Sequence, residues 1–175
     1  MLPHLDAAYN FARWLMRNGE DAEDAVQDAF LRAYQAFAGY QGGSDKAWLM
    51  TIVRNACLTR LRRRAQTDKV VLLDEAMREV EETSADIVPA SLNSRPDTEL
   101  LAKIERARVH VALKKLPQNL REIVVLREFE DLSYQEISEI VVVPVGTVMS
   151  RLARARAQLK ALLTDGEDGG RRNEV

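Results

Sequence analysis

A single cysteine, Cys57, stands in a chain of 175 residues. No internal disulfide framework is therefore available, and the usage fits a reducing cytoplasm. Histidine is nearly as scarce: His4 and His110 are the only two, and with one cysteine they make no zinc-ligand spacing. No metal and no cofactor is expected. A Cys/His pair meeting in space is the one nucleophilic arrangement left open, and the chain does not read as an enzyme. No apolar run approaches the roughly 18–20 residues of a membrane span, and no signal-peptide pattern opens the chain. Insertion into a membrane is not expected. Aromatic residues are only 6% of the total, whereas good helix formers (Ala, Leu, Arg, Glu, Gln) abound, which favours an all-α protein. The length suffices for one ordinary domain or two small ones.

What the chain does have is segregated charge. Its formal net charge is −2, but the sum hides blocks of one sign. Glu20 to Asp28 holds five acids and no base; Thr51 to Gln66 holds five arginines and no acid. Asp74 to Glu99 has eight acids against two arginines, and Arg151 to Lys160 has four bases and no acid. Such alternation suggests two kinds of partner. Basic blocks suit a phosphate backbone; acidic faces suit a protein, or imitate nucleic acid. Any single block would also serve as an ordinary solvated helix face.

Apolar spacing predicts three helices first: Leu5 to Asn18, Asp21 to Phe37 and Lys46 to Arg64. The second places Ala22, Val26, Ala29, Phe30, Ala33 and Phe37 on one face. "GYQGGSD" breaks the run, with Gly42-Gly43 a turn and Ser44 or Asp45 the next N-cap. Three helices with short connections can share one small core. The pattern then dissolves. Residues 67–97 read as an acidic flexible linker, with a transient helix near Leu73 to Val80. Four further helices follow over 98–164, one closed by Pro117 and one opened by the capping box Ser133/Glu136. Residues 165–175 read as a disordered tail. The expected architecture is thus all-α: a three-helix domain over 1–66, the linker, and a four-helix domain with a helix-turn-helix.

The last helix, "VGTVMSRLARARAQLKALL", gathers Val145, Val148, Leu152, Ala155, Leu159 and Leu162 within about 100° of its wheel. The other side carries Thr147, Ser150, Ala153, Arg154 and Ala157, with Arg151 and Arg156 on the flanks. Small alanines let the axis approach base edges, which Thr, Ser and Arg can hydrogen-bond. Flanking arginines can straddle phosphates. Thr147, Ser150 and Arg154 are the base-contact candidates.

At these residues a resemblance emerges. "LPQNLREIVVLREFEDLSYQEISEIVVVPVGTVMSRLARARAQLKALL" resembles the fourth-region domain of bacterial extracytoplasmic-function sigma factors. "DAEDAVQDAFLRAYQAF" followed by "AWLMTIVRNACLTRLRRR" resembles their second-region domain, in the family's order. The resemblance implies an RNA polymerase sigma factor that directs the core enzyme to −35/−10 promoters and nucleates melting. The helix from Asp21 would dock on the β′ clamp helices of the core through Asp24, Gln27, Asp28, Leu31 and Gln35. Its wheel agrees, setting Leu31 among acids and amides. The loop with Tyr40 and Gln41 would capture a flipped −10 base. Trp48, Arg54, Asn55, Arg60, Arg62 and Arg63 would hold the melted strand, although Trp48 also suits the core and the arginines suit phosphate alone. Thr147, Ser150, Arg151, Arg154 and Arg156 would engage the −35 duplex. An anti-sigma factor is implied as a further partner, and the free chain is expected to be a monomer.

Three departures from the family stand out. Val142 sits where family members usually carry glycine ahead of the "VP" of the turn. A left-handed residue costs a β-branched side chain about 1–2 kcal/mol, so a turn closed another way is expected. Met149 occupies a position often basic in the family. A first helix common in the family is missing here or reduced to a few residues. Two rival classes remain open: a sigma-mimic that binds only an anti-sigma factor, and a dimeric helix-turn-helix repressor. The mimic should lose its DNA-facing bases; the repressor leaves the acidic helix without a purpose.

Overall fold

The computed structural model describes residues 2–16, 18–71 and 96–168. Among them there are seven α-helices and no strand. The first half holds α1 (Leu5–Leu15), α2 (Gly19–Ala36) and α3 (Asp45–Val71); the second holds α4 (Pro96–Lys115), α5 (Gln118–Val124), α6 (Tyr134–Val141) and α7 (Val145–Asp168). The expected linker core, its helix near 73–80 and the end of the tail lie outside the described residues.

α2 shows why the first half closes. Ala22, Ala25, Val26, Ala29 and Ala33 are its buried residues. A stripe that is nearly all alanine lets neighbouring helix axes come close, so α2 packs against both α1 and α3. Phe11 and Leu15 from α1, and Leu49, Met50 and Val53 from α3, supply the bulk. Asn18 caps α2, its side chain accepting from the Glu20 N–H at 2.9 Å. Ser44 caps α3, accepting from the Ala47 N–H at 3.2 Å. Cys57 is fully buried in this core; desolvation pushes its thiol up to about 12, against the pull of Arg60. Its side chain packs in the core away from solvent.

Phe37 departs from the reading of the wheel. α2 ends at Ala36 and a 3-10 turn spans Phe37–Gly39, so the 3.6-residue period no longer applies and the ring is exposed. Two helices also outrun their expected ends: α3 continues beyond Arg64 to Val71, and α7 beyond Leu163 to Asp168. The helix expected between Pro117 and the capping box divides, α5 giving way to a π-helical stretch over Val125–Phe129.

In the second half, Leu113, Leu116, Leu120, Ile123, Leu126, Ile137, Ile140, Val148 and Leu152 form the core. The capping box forms as expected: Ser133 N donates to Glu136 Oε2 at 2.8 Å, and Glu136 N to Ser133 Oγ at 3.2 Å. The turn between α6 and α7 corrects the expectation for Val142. It is left-handed, with Val142 at φ 56° and ψ 55°. Val143 N donates to Ser138 O at 3.2 Å, and Ser138 Oγ to Val143 O at 2.7 Å. Those bonds hold a valine in a region that glycine occupies freely.

The Val142 side chain is 78% exposed, so glycine there gives up little packing. Relief of about 1–2 kcal/mol of strain exceeds the 0.4–1 kcal/mol or so of extra chain entropy. Val142→Gly is expected to stabilise the protein by up to about 1 kcal/mol, read as a higher urea midpoint with an unchanged slope.

Candidate nucleic-acid and protein interfaces

Three surfaces collect the candidate residues. On α2, Asp24, Gln27, Asp28, Leu31 and Gln35 are all exposed. Leu31 is 63% exposed, and Tyr34, one turn on, is 78% exposed. Two large apolar side chains thus stand exposed at i, i+3 spacing, ringed by acids and amides. Tyr34 was missed in the sequence; its spacing from Leu31 was the available signal. Asp24 is not a bare acid. Its Oδ2 accepts from Arg60 Nη2 at 2.9 Å, and Asp21 Oδ2 accepts from Arg64 Nη1 at 2.6 Å. These pairs tie α2 to α3 while contributing little stability, as exposed pairs do.

The second surface is the α2–α3 loop with α3. Gly42 and Gly43 take φ of 91° and 112°, values open to glycine and strained for other residues. The loop folds Tyr40 back so that its ring lies 4.8 Å from that of Trp48. Trp48 is half-buried and packs on the core, so it serves the core while keeping one ring contact with the loop. Gln41, Asn55, Arg62 and Arg63 are exposed. Arg54 behaves differently: its side chain is only 15% exposed. Its Nε and Nη2 donate to Glu122 Oε2 and Oε1 of α5 at 3.0 and 3.2 Å.

The third surface is α7. Val148, Leu152 and Ala155 are buried and Val145, Leu159 and Leu162 half-buried, which seats the apolar stripe on the core. Ser150, Ala153, Arg154, Arg156 and Ala157 are exposed, and Thr147 and Arg151 half-exposed. Met149 points outward among them. Ser150 Oγ donates to Thr147 O at 3.0 Å, leaving its lone pairs available. Arg156 donates to Glu128 Oε1 from Nε at 3.2 Å and from Nη2 at 2.5 Å. Glu128 is the first cause of that guanidinium's raised pKa. Arg154, central on the face, has no partner among the described residues. No group of His, Cys, Asp and Glu suited to a metal occurs among the described residues.

A small three-helix unit and a four-helix unit ending in a basic helix-turn-helix together have the build of a DNA-binding protein. Family comparison resolves which kind. Residues 2–67 match Sigma-70 region 2, and residues 106–159 match Sigma-70 region 4. The chain is 37% identical to the ECF RNA polymerase sigma factor SigE of Mycolicibacterium smegmatis over 91% of its own length, spanning 58% of that protein. It is 37% identical to the ECF RNA polymerase sigma factor EcfG of Rhodopseudomonas palustris, covering 91% of this chain and 82% of that one. Among solved structures it resembles the sigma factor RpoE in complex with the anti-sigma factor NepR from Bartonella quintana. That likeness has a TM-score of 0.74 at 30% identity and covers 93% of both chains. The chain belongs to the extracytoplasmic-function family of RNA polymerase sigma factors.

Proposed function

We propose that this chain acts as a dissociable promoter-specificity subunit of RNA polymerase in the cytoplasm. The observation that carries the reading is the pairing of opposite faces in one chain: an acid-rimmed Leu31/Tyr34 patch on α2, and basic faces on α3 and α7. The α2 patch docks on the β′ clamp helices of the core. α7 enters the major groove of the −35 duplex with Thr147, Ser150 and Arg154 towards base edges and Arg151 and Arg156 towards phosphates. Tyr40 and Gln41 take up an unstacked −10 base, while Trp48, Arg54, Asn55, Arg60, Arg62 and Arg63 hold the strand. Flipping a base costs a few kcal/mol, which the base pocket and the arginine–phosphate contacts offset. The subunit itself carries no catalytic step. The RpoE likeness extends across both halves and supports a second partner, an anti-sigma factor that engages the two halves together.

Run-off transcription tests the reading, with sigma-free core polymerase and fragmented genomic DNA of the source organism. Discrete transcripts that depend on the chain support it. Core binding without transcripts, in a preparation with no bound inhibitor, supports the mimic instead. Two substitutions separate the surfaces. Arg154→Ala is expected to lower −35-dependent initiation about tenfold or more, with stability changed by under about 0.5 kcal/mol and core binding intact. Lost core binding or unchanged initiation defeats that assignment. Asp24→Arg is expected to weaken core affinity about tenfold or more, while Arg60→Ala, which removes only the α3 partner of Asp24, leaves core affinity near wild type. Equal losses in both variants would mean that the pair, and not the acid, matters.

A further inference from the structure

α7 carries one exposed side chain that can neither donate to a base nor pair with a phosphate. Met149 is 53% exposed, the only large apolar side chain so placed among the described residues of α7. It stands in the second turn, next to Ser150, with Gly146 one turn before it and Ala153 one turn after. A Cβ at Gly146 would meet nothing within 4 Å, and Ala153 is exposed. Met149 therefore rises alone from a strip of small residues, and its thioether has room to lie along the helix surface.

Its place on the helix gives it a target. A recognition helix brings its N-terminal residues to the base edges. At 100° per residue, Met149 lies about 20° round the helix from Arg156 and about 40° from Ala153. Arg156 is held on that flank by Glu128. Met149 shares the flank two turns nearer the N-terminus, where the helix is closest to the floor of the groove. There an uncharged thioether offers a phosphate nothing, and it donates no hydrogen bond. The major groove shows donors and acceptors at every base pair but a single apolar group, the C5-methyl of thymine. Against a G·C edge, Met149 strips water from N7, O6 or N4 and leaves those groups unpaired. Against a thymine methyl it buries apolar surface on both sides, and its three rotatable bonds let it fit the contact.

We propose that Met149 is a specificity-determining residue of the −35 site, selecting an A·T pair through the thymine methyl beneath the second turn of α7. The inference rests on the function proposed above. Ser150 and Arg154 supply the polar half of the readout and Met149 the apolar half.

The test uses the full chain bound to core polymerase and a fluorescein-labelled promoter duplex, its sequence taken from the run-off transcripts. Each thymine of the −35 element, on either strand, is replaced singly by deoxyuridine, which removes the methyl and keeps the pairing. Wild type is expected to lose affinity about fourfold at one thymine, the worth of one buried methyl, and little at the others. Met149→Ala is expected to bind the thymine promoter about fourfold or more weakly and to lose the response at that position. Met149→Leu, apolar and of similar volume, retains it. The slope of affinity against salt stays the same in Met149→Ala, because no phosphate contact goes with the side chain. A wild type indifferent to every deoxyuridine overturns the assignment, as does a −35 element with no thymine on either strand. A response that survives in Met149→Ala belongs to the duplex itself and overturns it equally. Chain-dependent transcripts without a methyl response sink this contact alone; absence of transcripts despite core binding sinks the sigma role and the contact with it.

Discussion

The fork between Arg54 and Glu122 is the contact on which the placement of the two halves depends. Apolar packing also joins the halves, since buried residues of both form one cluster. The acids are different. Glu122 and Glu130 sit where water is excluded, and a buried carboxylate without a partner is costly. Burial raises the pKa of Glu130, while Lys46 pulls the other way. In the observed arrangement the halves meet in a register that gives both acids a cation.

How much of this was legible follows from the distance over which each feature is encoded. The helices, the capping box at Ser133 and the apolar stripe of α7 are written in steps of three and four residues, and periodicity finds such steps. Phe37 misled because the period was carried one residue past the end of α2. The π-helical stretch at Val125–Phe129 replaces one hydrogen-bond register with another without changing the apolar pattern, so no spacing announces it. The left-handed Val142 is a case where neighbours override local cost: Ser138 supplies bonds to Val143 from both its backbone carbonyl and its hydroxyl, and the turn forms despite its residue.

The candidate surfaces were legible as residue types and much less so as partnerships. Arg54 meets an acid 68 positions away, and Lys46 one 84 away. No motif links them, and a run of arginines looks the same whether its members face solvent or an acid of the other half. Tyr34 shows the opposite limit. Its i, i+3 spacing from Leu31 pointed to the exposed face, but an aromatic residue in a helix is readily assigned to the core, and the packed structure sets it outside.

The pairing changes what a basic face means. Of the cations assigned to nucleic acid, Arg54, Arg60 and Arg156 are already held by carboxylates of the same chain. When such a cation moves to a phosphate, the DNA still releases its counterion, but an internal bond is broken as the external one forms. Affinity is then smaller than the number of arginines implies, whereas discrimination between a well-placed strand and a poor one is sharpened, since only a strand that satisfies several cations together repays the exchange. Arg154 and the Arg62-Arg63 pair, which have no described partner, pay no such cost. In the proposed complex they supply general attraction, while Arg54 and its neighbours respond to a strand correctly seated.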